Sequence, residues 1–442
     1  MQNSSNEKSV LTQPNSVLLP NEETRKFILE HISLSPTETA LLAHNKPNVD
    51  AVFALNQIAG KQIAKQKLPL WAQCEEVIYP THLSMEQCSS QATAKYKAQL
   101  AKNLLSELET NSEKILVDLT GGFGVDCTLM SEVFDSAICI EQQSELSSIS
   151  QHNMNALCHS RVNCYNNNCI EALEAIEKAT IIYIDPARRN ANGERTYAIE
   201  DCTPNVLNLK NKLLKKAKIV IVKLSPMLDW HKAVQDFKGN VSSLHIIASH
   251  NECKELLLVV DSQIHEDLKV YCVNDQQITK IRASYDSETQ QVKAESIEYC
   301  ESKEDTENSI CDKNSWQNYA KYVYEPNAAL MKIGCFSLIE KQYHTLQLQT
   351  NSHVFVSYTY NKRFPGKIWK IENVCSMNKK EIKKALENLT HANIVTRNFP
   401  MSAETLRKRL HIQNGGNTRL IATTDSNNQH ILIRAAETET EK

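Results

Sequence analysis

Residues 118–126 read Asp-Leu-Thr-Gly-Gly-Phe-Gly-Val-Asp, so Gly121, Gly122 and Gly124 place three of the chain's ten glycines in one turn directly after the apolar run Lys-Ile-Leu-Val. Glycine there permits positive φ and removes the Cβ that keeps a ligand from the main chain; a Cβ at Gly122 or Gly124 is expected to occupy ligand space. The spacing Asp118-x-Thr120-x-Gly122-x-Gly124 is not the G-x-G-x-x-G of dinucleotide enzymes. Twenty-three residues after Asp118, Glu141 ends a second apolar run, the position from which a carboxylate reaches ribose hydroxyls. Asn168 follows a third run and Asp185-Pro186-Ala187-Arg188-Arg189 ends a fourth; Lys223, Asn251 and Glu252 stand at the ends of later ones and are candidates to line a substrate pocket. A glycine turn with an acid on the neighbouring run is the chemistry of a nucleotide seat.

The elements that would position these residues follow from the pattern. The runs KILVDL, AICIE, VNCYN, TIIYID, KIVIVKL, LHIIAS and ELLLVVD are strand-like, and helix-compatible stretches separate the first six. Such alternation builds a parallel sheet with helices on both faces, an α/β fold. The last two runs lie too close for a crossover and must form an antiparallel hairpin, which is the arrangement of class I methyltransferases with their Rossmann-like sheet. Upstream, residues 1–20 are polar and expected to be disordered, 21–80 form a helical domain broken at Ser35-Pro36 and Lys46-Pro47, and 81–108 read as one helix started by Ser84 with Gln87 three residues on. The sheet domain is expected to span 81–262. Residues 263–320 read as a small β-rich segment with the acidic stretch ESKEDTENSICDKNS as linker, and 321–442 as an α+β C-terminal module.

Composition narrows the class. At 442 residues the chain exceeds one core, and its 41% hydrophobic, 23% charged balance is that of a soluble protein. The opening residues lack an apolar signal region and no run approaches the roughly 20 apolar residues of a membrane span, so a cytoplasmic protein with no membrane partner is expected. The 14 cysteines form no Cys-x-x-Cys pair, which points to reduced, packed thiols and to no metal. The net charge is −3, but residues 361–420 carry +9 and 261–315 carry −7. That asymmetry suggests a C-terminal module facing a polyanion.

Several stretches match one family together: MEQCSSQATAKYKAQL, DLTGGFGVD, YIDPARR, VKLSPMLD, HNECKE, YVYEPNAALMK and RNFPMSAETLRKRL. As a set they resemble a bacterial, Bacteroidetes-type family of class I S-adenosylmethionine (SAM) methyltransferases with a ferredoxin-like segment, expected here at 263–320, and a THUMP-like C-terminal domain, expected at 321–442. The resemblance implies that SAM is the cofactor, that Asp118 meets the amino end of its methionine moiety, that Thr120 replaces the usual first glycine, and that Asn168 meets the adenine amine. It also implies that the SSQATAKYKA helix closes over SAM. The turn is similar to that of a ribosomal-RNA guanine methyltransferase, on whose last motif Asp Asp126 falls.

Nucleic-acid methyltransferases carry Asp-Pro-Pro or Asn-Pro-Pro where this chain has Asp185-Pro186-Ala187. The resemblance implies that Asp185 and the Pro186 carbonyl hold a target amine, with Arg188 in place of the usual stacking aromatic and able to stack on a base or hold a phosphate. THUMP domains grip folded RNA, so structured tRNA or rRNA is the implied partner. Lys362, Arg363, Lys367, Lys370, Arg397, Arg407, Lys408 and Arg409 are the candidate phosphate contacts, with Phe364 and Trp369 either stacking on bases or packed in the core. The expectation is a SAM-dependent RNA methyltransferase acting on a purine exocyclic amine. The alternatives are a small-molecule or protein methyltransferase and a non-catalytic RNA-binding protein; the oligomeric state is not readable.

Overall fold

The continuous apolar runs become strands buried on both faces, as β4 (Ala179–Ile184) is along its whole length. In the computed structural model the described residues are 10–108, 112–157, 161–187, 198–298 and 315–438. The chain divides into two compact units, one of residues up to 244 with 255–265, the other of 245–254 with 266 onward.

The first unit opens with α1 (Glu22–His31), α2 (Pro36–His44), α3 (Ala51–Lys67) and α4 (Pro69–Gln73). Asn21, Ser35 and Asp50 cap the first three, and Ser35 forms a full capping box with Glu38. Then come α5 (His82–Gln87), α6 (Gln91–Glu107), β1 (Ile115–Asp118), α7 (Val125–Ser131), β2 (Ser136–Ile140), α8 (Ser144–Ala156), β3 (Val162–Tyr165), α9 (Cys169–Ala175), β4, α10 (Val206–Lys216), β5 (Ala217–Leu224), α11 (Trp230–Asp236), β6 (Val241–Ser249) and β7 (Glu252–Val260). The strand order is β3-β2-β1-β4-β5-β7. The β1/β2, β2/β3, β1/β4 and β4/β5 pairs are parallel, and β5/β7 is antiparallel. Order reverses between β1 and β4, which opens a crevice at their carboxyl ends. Trp71, Tyr79, Met85 and Ala94 share one core cluster with Phe123, Val125 and Leu129, so the N-terminal helices and the glycine turn are packed together.

Two expectations about this unit change. Residues 81–108 are two helices: Cys88 to Ser90 leave helical geometry, and Ser90, not Ser84, accepts the Thr93 N–H as cap of α6. Residues 10–20 form no helix or strand, but they are tied down where a disordered tail was expected. The Thr12 carbonyl accepts the Asn166 N–H at 2.8 Å, and the Thr12 N–H donates to Asn167 Oδ1 at 2.7 Å.

The second unit holds the tip of the β6–β7 hairpin, whose two-residue turn puts His250 and Asn251 at φ 51° and 58°. Next are the antiparallel β8 (Asp267–Asn274), β9 (Gln277–Tyr285) and β10 (Val292–Glu298). They are followed by α12 (Trp316–Tyr319), β11 (Tyr322–Pro326), α13 (Ala328–Ile333), α14 (Phe336–Tyr343), β12 (Leu346–Gln347), β13 (Phe355–Ser357), β14 (Gly366–Ser376), α15 (Lys379–Ala385), β15 (Asn393–Arg397), α16 (Ala403–Leu410), β16 (Thr418–Thr424) and β17 (His430–Glu437). A seven-stranded sheet runs β12-β13-β11-β14-β17-β16-β15. Val323, Val356, Ile421 and Ile433 form one apolar cluster in this unit, and Leu406, Leu420, Ala422 and Leu432 a second. The acidic stretch 301–315 lies outside the described residues except for Ser315. Among the described residues no helix is long and apolar enough to cross a membrane.

Because Ser90 rather than Ser84 caps α6, Ser90→Ala should cost about 1 kcal/mol in thermal denaturation, whereas Ser84→Ala should leave the midpoint unchanged within error.

Candidate functional site

The turn after β1 is fixed by its main chain. Gly121 donates its N–H to the Ile140 carbonyl at 2.7 Å, and a Cβ on it would lie 2.2 Å from Cys139 Sγ. Gly122 has φ +55°, and a Cβ there would find no atom nearer than the Thr120 carbonyl at 3.9 Å. Its open side is the space a ligand needs. Gly124 does not share that role: at φ +80° its missing Cβ would strike Met154 Cε at 2.7 Å, so it is glycine for conformation and helix packing.

Two acids flank the turn. Glu141, just past β2 and 8% exposed, accepts the Gly122 N–H at 2.9 Å through Oε2 and the Gln143 N–H at 2.7 Å through Oε1. Burial raises its pKa despite these bonds. Asp118 Oδ1 accepts the Thr120 N–H at 2.9 Å, while the buried Oδ2 has no partner. Burial, with Cys139, Asp126 and Asp185 adding to it, pushes the Asp118 carboxyl well above the usual range. An orphaned acceptor beside an open glycine turn fits a cofactor carrying a donor group. Asn168 is exposed and spends its Oδ1 on the Ile170 N–H at 2.9 Å as cap of α9.

The residues expected to face the substrate begin one strand away. Thr120 Oγ1 accepts the Asp185 N–H at 2.7 Å, which gives the threonine at the usual glycine position a task. The Asp185 carboxylate, 36% exposed, meets Lys223 Nζ at 2.6 Å. Pro186 is buried, and Ala187 pairs with Thr203 through two main-chain bonds of 2.8 and 3.0 Å. Arg188 and Arg189 lie outside the described residues.

Behind Asp185 is a charged cluster that the sequence reading did not assemble. Lys97, fully buried, donates to both Glu255 oxygens at 2.8 and 3.0 Å and pairs with Asp126 at 3.0 Å. Ser89, released by the break between α5 and α6, donates to Asp126 Oδ2 at 2.7 Å and accepts from Lys97 at 2.9 Å and Lys223 at 3.4 Å. The Tyr183 hydroxyl donates to the same Asp126 oxygen at 2.9 Å. Burial opposes the charge on Lys223, but Asp185, Glu255 and Asp126 outweigh it and hold the ammonium above the usual lysine range. Burial likewise penalises Asp126, and Lys97 and Lys223 more than offset it. The sequence signal for Lys97 was available: it sits on the buried stripe of α6 with Thr93, Ala94, Leu100 and Ala101.

Asp118, Cys127 and Cys139 are the one group among the described residues with possible metal-ligand spacing, their ligand atoms lying within 4.8 Å of one another. Hydrogen bonding with Cys127 and Cys164 holds the buried Cys139 thiol well below the usual range, and the Cys164 S–H is also directed at Met154 Sδ at 3.4 Å.

In the second unit, Asn251 Oδ1 accepts the Ala328 N–H at 2.9 Å and Glu252 pairs with Lys254 at 2.6 Å. The 407–409 trio is spread around α16, because consecutive helical residues point about 100° apart. Arg407 donates to the Ala392 carbonyl at 3.1 Å, Lys408 pairs with Glu404 at 3.0 Å, and Arg409 meets Met401 Sδ at 3.7 Å. Lys362, Arg363, Lys367, Lys370 and Arg397 are exposed. Phe364 is not available to stack on a base: it is 1% exposed and packs against Tyr324, Tyr343 and Phe355. Trp369 is partly buried beneath the Arg419 guanidinium, 5.2 Å from its ring centroid.

Comparison with known proteins places these parts. Residues 322–365 match a ferredoxin-like domain family and residues 366–437 a THUMP domain-like family. The ferredoxin-like segment therefore lies downstream of the expected 263–320, whose described strands are the meander β8 to β10. No curated protein matches the chain. Among solved structures, a candidate methyltransferase from Porphyromonas gingivalis W83 is 27% identical, with 96% of this chain and all 100% of that chain covered at a TM-score of 0.74. A SAM-dependent methyltransferase from Agrobacterium tumefaciens is 12% identical over 39% of this chain and 61% of that one, TM-score 0.30. A candidate RNA methyltransferase from Pyrococcus horikoshii is 14% identical over 45% of this chain and 96% of that one, TM-score 0.31. The chain thus has a class I methyltransferase fold joined to a ferredoxin-like and a THUMP-like domain, the architecture of the bacterial methyltransferase family that its motifs resemble.

Proposed function

We propose that this protein is a SAM-dependent methyltransferase that modifies a purine exocyclic amine in tRNA or rRNA. The observation that carries the reading is the open side of Gly122 next to Glu141 and the unpartnered Asp118 Oδ2, at the point where the strand order reverses. SAM, when bound, supplies an electrophilic methyl group. Asp118 would hold its ammonium and Glu141 its ribose hydroxyls. With Oδ1 committed to the helix cap, Asn168 would offer amide N–H groups to an adenine ring nitrogen.

Asp185 would accept an N–H of the target amine, with the Pro186 carbonyl as a second acceptor and Lys223 fixing the carboxylate's orientation. Methyl transfer asks mainly for in-line approach, so positioning by this edge would supply most of the rate. The THUMP domain-like match and the exposed basic residues in and beside it support RNA as the substrate, with Lys362, Lys367 and Arg397 as phosphate contacts.

Titration calorimetry should show SAM binding to the wild type; its absence removes the reading. Asp118→Asn keeps an acceptor for Thr120 but removes the charge, so SAM affinity should fall by about tenfold or more. The same variant should be more stable than wild type. The raised folded pKa means that stability is present when Asp118 is protonated and is lost as pH rises through that value. The gain should therefore appear at neutral pH and vanish below about pH 4, the ordinary aspartate range.

RNA affinity measured against salt tests the substrate. Neutralising Lys362, Lys367 and Arg397 together should flatten the log–log slope by about 2 to 3 and leave SAM affinity unchanged. A flat wild-type response would favour a non-RNA substrate.

A further inference from the structure

The cluster behind Asp185 contains two ammonium groups, Lys97 and Lys223, and three carboxylates, Asp126, Glu255 and Asp185. Lys97 engages Asp126 at 3.0 Å and Glu255 at 2.8 Å, whereas Lys223 stands 3.9 Å from Glu255 and 2.6 Å from Asp185. We propose that Lys97 is a positioning residue for methyl transfer, a role that rests on the methyltransferase reading above: by neutralising Asp126 and Glu255 it leaves the Lys223 ammonium to Asp185.

Charge and burial decide how the cluster divides. Without Lys97, two buried carboxylates are left with Lys223 as the nearest ammonium. The Glu255 and Asp126 side chains are 4% and 11% exposed, while that of Asp185 is 36% exposed and can turn to water. An unpaired charge costs far more inside the protein than at its edge, so Lys223 moves inward and Asp185 loses the contact that orients it. Ser89 makes the exchange short, because its hydroxyl already accepts from both lysines and donates to Asp126.

A purely structural role, stapling α6 to α7 and β7, gives a different expectation. Loss of a staple is not repaired by deleting its other end. Loss of charge balance is largely repaired, since Lys97→Met with Glu255→Gln removes one cation and one anion and leaves Asp126 with the Ser89 and Tyr183 hydroxyls.

The test uses the full chain with tritiated SAM and total RNA from cells lacking the gene. Lys97→Met should fold, bind SAM within about threefold of wild type, and lose ten- to about a hundredfold in kcat with little change in KM for RNA. The acid limb of its kcat profile should move up by about one pH unit, because Asp126, held low against burial by Lys97 and Lys223, loses the first of them. The other titratable groups facing this cluster are Asp118, Tyr183 and Cys88, with Lys67 beyond Cys88. The double variant should recover about tenfold in kcat and return the acid limb toward its wild-type place.

A folded Lys97→Met enzyme with wild-type kcat and profile overturns the positioning role, and so does a folded double variant no better than the single one. Should Lys97→Met fail to fold, the double variant carries the test: kcat within about tenfold of wild type supports the role, and an inactive folded protein overturns it. Wild-type protein that binds SAM and methylates RNA keeps the parent reading whatever the variants do, whereas wild type that binds no SAM overturns both.

Discussion

The turn after β1 stays open only because its main chain is tied on every side except one. Ile140 holds Gly121, Glu141 holds the Gly122 N–H, Ser150 donates to the Gly122 carbonyl at 2.7 Å, and Asp118 takes the Thr120 N–H. Thr120 then passes the constraint across the crevice by accepting the Asp185 N–H. The strands carrying the turn and Asp185 are already paired in parallel register, and the Thr120 hydroxyl extends that pairing past their carboxyl ends, on a sheet whose strands are too deeply packed to shift.

The charged cluster behind this edge is unusual in its cost. Burying two ammonium and three carboxylate groups stabilises a fold poorly, and removing one partner from such a pair typically costs about 3 to 5 kcal/mol. An apolar filling of the same space would serve stability at least as well. That the space holds charge argues that its value lies in orientation, and the break between α5 and α6 makes the same point, since it gives up helical continuity and places Ser89 among the lysines.

How much of this was legible in the sequence depended on the range of the interaction. Strands β1 to β7 follow from local apolar runs, and the strand ends carrying Asp118, Glu141 and Asp185 follow with them because a parallel sheet aligns its carboxyl ends. The break at Cys88 to Ser90 was missed because Ser84 and Gln87 mimic a cap, and only the tertiary contacts of Ser89 decide against a continuous helix. Lys97 with Glu255 could not be paired from sequence: they are 158 residues apart, on elements joined only through the fold. Local sequence leaves Phe364 open between a stacking platform and the core, and three aromatic neighbours contributed by other segments decide for the core. The basic trio on α16 is spread around the helix for a geometric reason, since adjacency along a chain is not adjacency on a helix surface.

The β6–β7 hairpin is shared between the two units, its base with the first and its tip with the second. At the tip the Ala248 carbonyl accepts the Asp275 N–H at 3.1 Å, and the buried His245 ring stacks on Tyr271 at 4.6 Å. β6 lies between β7 and β8, so a fragment trimmed after β7 would leave β6 with a bare row of hydrogen-bonding groups beside apolar Ile246 and Ile247, the kind of edge that recruits other chains. Dissection of this protein by truncation is accordingly prone to aggregates, and the smallest well-behaved piece has to retain β8.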